Sequence, residues 1–422
     1  MKNPTLYRAR YLLPIADEPI EDGALLVVDQ SIAAVGRFAA LRSIDAELVD
    51  FGDAVLLPPF ANAHTHLELT HFPRWQEEAG ETGSPDSFVE WILQVIRVKR
   101  QVATSRFLPS LQEGIRASLA AGTGAVGDIL SYFPARTAFA DTPLKGRLFF
   151  ETLGRDPLRN REMLRTIAGL LDAGAVGSLE PGISPHSPYT LAAEYLEEIF
   201  DFSRRRRLPL ATHLAESVDE VVFLHDSAGP LQQILYPYVG WGEMIPPPAR
   251  RSPVAYLAER GGLVAGNLLV HGVQVASADL GRLARSGATV VLCPRSNARL
   301  GVGRAPVELY REQGVPLALG TDSLASCETL SLWDEVAFAR NWFDNFLPPR
   351  LLLSMATRGG AAALGLDGEM GVFAVNWGAH FQVLVPPTLP TLADLEEFLC
   401  SPGRTAEVSA LYLDGRDVLQ KG

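Results

Sequence analysis

His64-Thr65-His66 follows the apolar run Ala54-Val55-Leu56-Leu57-Pro58-Pro59-Phe60, and it constrains the fold more than any other feature of the chain. Residues i and i+2 of a strand share a face, so two imidazoles at this spacing can grip one metal ion. Further ligand-type side chains follow, each at the end of its own apolar run. They are His213 in Ala211-Thr212-His213-Leu214-Ala215-Glu216, His271 in Leu268-Leu269-Val270-His271, and Asp322 in Leu317-Ala318-Leu319-Gly320-Thr321-Asp322. Successive strand ends that each offer one such group describe a barrel with a metal at its C-terminal mouth.

The rest of the chain supports that pattern. From Pro58 to about Leu366, apolar runs alternate with longer amphipathic stretches such as Phe107 to Ala121. Strands alternating with helices predict a parallel α/β sheet. Counting Val55-Leu56-Leu57 as the first run gives eight strands, the number of a closed (β/α)8 barrel. No GxGxxG follows that first run, which disfavours a doubly wound sheet. Residues 1–57 read instead as short strands, with a tight turn at Gln30. Residues 367–422 return to strand-like runs, notably Phe381 to Val385 and Ala410 to Leu413. The expected organisation is a barrel over 58–366 and a small composite β domain built from 1–57 and 367–422. Leu231 to Pro253 exceeds an ordinary connection and reads as a lid or specificity loop.

Composition excludes several classes of function. Hydrophobic residues make up 47% of the 422, enough for a large core. A net charge of −12 argues against a nucleic-acid surface. Cys293, Cys327 and Cys400 form neither a disulfide framework nor a CxxC zinc site. No basic-then-apolar leader is present, and no apolar run approaches the roughly 18 residues that span a bilayer. The expectation is a soluble cytoplasmic protein with neither nucleic-acid nor membrane partner. Apolar helix faces are compatible with a homodimer.

Neutral imidazoles with one carboxylate suit a single Zn²⁺ or Fe²⁺, so His64, His66, His213 and Asp322 form the expected ligand set. Such a site leaves a position for water and lowers its pKa. A two-metal site bridged by a carboxylated lysine is disfavoured. The lysines are Lys2, Lys99, Lys145 and Lys421, and Lys145 lies at the wrong end of its strand. Glu216, three residues after His213, is placed to move a proton between water and leaving group. His271 is expected to orient the water, and Asp322 to accept its proton as well as bind metal. His186, between prolines in Ser184-Pro185-His186-Ser187-Pro188, is mounted to contact substrate. His71, His225 and His380 have no comparable placement.

Together these blocks resemble the amidohydrolase superfamily. The narrowest matches are Pro185-His186-Ser187-Pro188-Tyr189-Thr190 and Cys293-Pro294-Arg295-Ser296-Asn297, joined by His213-Leu214-Ala215-Glu216 and Gly320-Thr321-Asp322-Ser323. They are similar to the branch that deaminates S-adenosylhomocysteine, methylthioadenosine and related adenosine derivatives. That resemblance implies one divalent metal and hydrolytic loss of ammonia from a purine nucleoside. It also implies that Glu90, in Phe88-Val89-Glu90-Trp91, grips the ribose hydroxyls. His66-Leu67-Glu68, the block Ser296 to Gly303 and Leu324-Ala325-Ser326-Cys327 are closest to the futalosine-type enzymes, placing Glu68 among the substrate contacts. The implied substrate is 6-amino-6-deoxyfutalosine, of menaquinone biosynthesis. Its benzoate calls for an arginine, with Arg155 and Arg299 as candidates. A deaminase of S-adenosylhomocysteine or methylthioadenosine, and a deaminase or dechlorinase of free bases or triazines, are the alternatives; a barrel that has lost catalysis would lack ligands that are all present here. Gly378-Ala379-His380-Phe381 departs from the superfamily's usual tail.

Overall fold

The computed structural model describes residues 4–402 and 407–420, so Lys2 and Lys421 lie outside the described residues. The chain opens with β1 (Thr5–Leu12), β2 (Ile20–Val28), β3 (Ser31–Arg37), β4 (Glu47–Asp50) and β5 (Val55–Leu57). Eight parallel strands follow: β6 (Phe60–Thr65), β7 (Thr123–Leu130), β8 (Lys145–Thr152), β9 (Ser178–Pro185), β10 (Ala211–Leu214), β11 (Leu268–His271), β12 (Thr289–Leu292) and β13 (Leu317–Leu319). The chain then returns through β14 (Phe381–Val385), β15 (Glu407–Leu413) and β16 (Arg416–Asp417).

β6 to β9 form one four-stranded parallel sheet and β10 to β13 another. Single parallel bridges, Ile183 to Leu210 and Thr65 to Asp322, join the two halves at both seams. The second seam is reinforced by side chains. Asn62 Nδ2 donates to Thr321 Oγ1 at 2.8 Å, and Thr65 Oγ1 donates to the Asp322 carbonyl at 3.0 Å. Gly320 makes this approach possible, because a Cβ there would lie 2.8 Å from the His64 carbonyl oxygen. Every residue of β6, β7, β10 and β11 is buried, as expected for strands covered on both faces.

The small sheet has the order β16-β15-β14-β5-β1-β2-β3, with β4 also on β1. Strands from before and after the parallel strands build it. It has its own core, in which the rings of Phe381 and Tyr412 stack at 4.3 Å beside Tyr7.

The strand count of eight holds, but its first member is corrected. Val55–Leu57 pairs with β1 and with β14 in the small sheet, and Phe60–Thr65 is the first barrel strand. Pro58 and Pro59 explain the break, since neither has an N–H to continue a ladder. Gln382 ties the two bodies together: its Nε2 donates to the Pro58 carbonyl at 3.1 Å, and its Oε1 accepts from Trp333 Nε1 at 3.2 Å. Lys145 begins β8 and pairs with Asp414 at 3.0 Å, away from the ligand end. His380, in the unusual tail, is buried and accepts from the Asp414 N–H at 3.1 Å. Among the described residues no helix is long and apolar enough to cross a membrane.

Candidate active site

The strand ends converge. One ligand atom from each of His64, His66 and His213 lies within 4.8 Å of the others. Asp322 Oδ1 stands 3.5 Å from Nε2 of both His64 and His66. Its other oxygen is held in place: Ser296 Oγ and Ser326 Oγ each donate to Oδ2 at 2.7 Å. The His213 Nδ1 proton goes to the His186 carbonyl at 2.8 Å, which leaves Nε2 free to ligate.

A divalent cation suits this donor set. Both ring nitrogens of His64 are buried without a hydrogen-bond partner. Each such orphan costs about 1–3 kcal/mol, which a bound cation relieves at one nitrogen. Burial, then the neighbouring His64, pushes His66 well below its ordinary pKa, and burial does the same to His213. Neutral imidazole is the ligand form. Burial opposes ionisation of Asp322, but the imidazoles of His64 and His66, each 3.5 Å from Oδ1, hold it well below the carboxylate range.

Glu216 and His271 stand beside the cluster without belonging to it. Glu216 Oε1 is 3.4 Å from His271 Nε2. His271 Nδ1 meets Asn297 Oδ1 at 2.9 Å, so the proton is assigned to Nδ1 and Nε2 keeps its lone pair. Burial lowers the His271 pKa to about 4. Burial, Asp322 and Glu220 push Glu216 well above the usual range, which favours its protonated form. Ala215, His271 and Asp322 all have left-handed backbones, with φ of 53°, 76° and 59°. Each costs about 1–3 kcal/mol in a non-glycine residue, strain that gathers where the chain turns off a strand into a functional site.

A cavity of about 380 Å³ opens over these groups. His66, His186, His213, Glu216, His271 and Asp322 line its base. Trp91, Ile92, Val95 and Ile96 give it an apolar wall, and Leu235, Val239 and Trp241 of the Leu231–Pro253 segment lie opposite. His186 Nδ1 meets Thr190 Oγ1 at 3.1 Å. That hydroxyl spends its own proton on the Ser187 carbonyl, so His186 presents an unprotonated Nε2.

The other expected substrate contacts do not line the cavity. Glu90 is exposed and closes the start of helix Phe88–Gln101: its N–H bonds to Ser87 Oγ, and its carboxylate accepts from the Asp86 N–H at 2.9 Å. This is close to a capping box, with the glutamate reaching the N–H one residue before the N-cap Ser87. Glu68 is buried and accepts from the Ser131 hydroxyl and the Tyr132 N–H, with Lys99 Nζ at 3.4 Å. Arg155 donates to the Met244 and Leu191 carbonyls, and Arg299 pairs with Glu328 at 3.0 Å.

Sequence reasoning passed over Lys99, Arg100 and Glu151, which do line the cavity. Burial raises Glu151 to about 7. A signal for Lys99 existed: Trp91, Val95 and Lys99 repeat every four residues, one face of a helix. Ser296 and Asn297 carried no sign of their partners, Asp322 and His271, which come from other strand ends.

Residues 55–403 match the amidohydrolase family. The chain belongs to that family. As a member it is a hydrolase acting on C–N bonds. It is 34% identical over 354 residues to aminodeoxyfutalosine deaminase of Deinococcus radiodurans, with 81% of each chain covered. It is 30% identical over 366 residues to 5-methylthioadenosine/S-adenosylhomocysteine deaminase of Halobacterium salinarum, covering 83% of this chain and 78% of that one. In fold it is similar to Helicobacter pylori aminofutalosine deaminase, with a TM-score of 0.84 at 24% identity over 99% of this chain and 100% of that one.

Proposed function

We propose that this amidohydrolase is a hydrolytic deaminase of the 6-amino group of an adenosine derivative, and that 6-amino-6-deoxyfutalosine is its substrate. The observation that carries the reaction is the approach of Glu216 Oε1 to Nε2 of His271, 3.4 Å away, beside the histidine cluster, with burial favouring a proton on the acid. The likeness to aminodeoxyfutalosine deaminase supports the substrate.

His64, His66, His213 and Asp322 would hold one divalent ion, zinc or iron, which when bound supplies a Lewis acid and makes water acidic near neutral pH. The chain's own groups then divide the protons. His271 Nε2 accepts a proton from the attacking water, with Asp322 Oδ1 as the second acceptor. Glu216 gives its proton to a purine ring nitrogen. The new C6–O bond makes C6 tetrahedral, the C6–N bond breaks, the proton taken from water leaves with ammonia, and the remaining hydroxyl proton returns to Glu216 as the C6 carbonyl forms. His186 Nε2 offers an acceptor to a substrate donor. The apolar wall covers the nucleoside and excludes bulk water, which strengthens each of these interactions.

The test is ammonia release from 6-amino-6-deoxyfutalosine, S-adenosylhomocysteine, methylthioadenosine and adenosine on metal-loaded protein. Preference for the first supports the full reading. Preference for the second or third supports the alternative that the Halobacterium salinarum relative favours. Release from none sinks the deaminase.

A further inference from the structure

One cation of the cavity wall lacks an anion. Helix Phe88–Gln101 crosses the mouth, and Trp91 Nε1 donates to the Ala325 carbonyl beyond β13 at 3.1 Å. At the other end the Arg100 guanidinium lies over the Tyr238 ring, 5.1 Å from its centroid, in the segment after β10. From Trp91 to Arg100 the helix spans about 13 Å. Neighbouring cations are matched: Arg97 is gripped by both oxygens of Glu81 at 2.6 and 2.7 Å, and Lys99 stands 3.4 Å from Glu68. Arg100 has no carboxylate partner within 4 Å among the described residues. Arg100 is exposed at the rim of the cavity it lines, so its guanidinium is open to a ligand entering from solvent. Its planar fork matches a carboxylate.

We propose that Arg100 is a specificity-determining residue that takes a carboxylate carried on an apolar, ring-sized arm of the substrate, with Trp91, Ile92 and Val95 covering the arm. This rests on the deaminase reading. It moves the anion contact from Arg155 and Arg299, which lie outside the cavity lining and bond to Met244, Leu191 and Glu328 there.

Calorimetric titration of metal-loaded protein tests it apart from turnover. The ligands are an adenosine derivative with a carboxyaryl group on its 5′ arm and the matching carboxamide. The acid is expected to bind about 10- to 100-fold more tightly than the amide, the range of a hydrogen bond to a charged group. Arg100→Gln should remove that preference while changing amide affinity less than twofold, and Arg100→Lys should restore part of it. Equal binding of acid and amide, binding of neither, or a preference that survives Arg100→Gln overturns the proposal. An acid preference that depends on Arg100, without ammonia release from any adenosine derivative, instead overturns the deaminase reading.

Discussion

Glu216 Oε1 and His271 Nε2 face each other at 3.4 Å, the acid and the base of the proposed mechanism. Their opposite states come from shared surroundings. Burial disfavours charge on both, raising the acid and lowering the base.

Glu216→Gln is expected to keep the hydrogen-bonding shape and lose the proton. Turnover should fall by about 10²–10⁴-fold, the contribution typical of a positioned acid or base. Metal content, measured by elemental analysis, should not change. Loss of metal in this variant would make Glu216 a ligand and end the proposed role.

Ser296→Ala and Ser326→Ala should each free one lone pair of Asp322 Oδ2 and let the carboxylate rotate. Loss of such an orienting partner typically costs about 10–100-fold in metal affinity. Competition against a chelator measures it. Unchanged affinity in both variants would remove Asp322 from the ligand set or show that its rotamer is fixed by packing.

Glu90→Ala should behave as the loss of a helix cap. The expected cost is about 0.5–2 kcal/mol of stability, with KM for a ribose-bearing substrate changed less than twofold. A tenfold rise in KM, with stability intact, would restore the ribose contact suggested by resemblance.

The pH dependence of stability carries a sign. Burial raises buried Glu335 to about 8, despite Arg295 beside it. A carboxyl with a folded pKa above its unfolded value, roughly 4.3, holds on to its proton only in the folded state between those values. Its contribution is therefore lost as pH rises from about 4.5 to 8. Thermal unfolding of chelated protein should show a falling midpoint across that window, and Glu335→Gln should flatten it. A slope unaffected by the substitution would assign it to other groups.

Much of the fold and the base of the site was legible because both rest on local signals. An apolar run with a histidine or aspartate at its end announces a strand and its proposed ligand together, as at His213 and Asp322. Val55–Leu57 was misread as a barrel strand because a short buried run has the same pattern in either sheet, and only its partners in β1 and β14 tell them apart. The cavity wall was less legible. Arg100 and Lys99 reach it through the placement of one helix across the mouth, a tertiary fact. Glu90 shows the converse, a motif match whose local surroundings give its carboxylate another partner.

The joint at Pro58 also bears on the order in which the molecule is made. Gln382 reaches Pro58 across 324 residues, and Thr321 reaches Asn62 across 259. β6 carries His64 and His66, yet it gains its partner at the closing seam only when residues 321–322 arrive, and its anchor in the small sheet only with β14. Chains are synthesised from the amino end. A nascent chain thus holds two of the proposed ligands early and waits for nearly the whole protein before the four can meet, which on the proposed reading sets capture of the metal among the last events of folding.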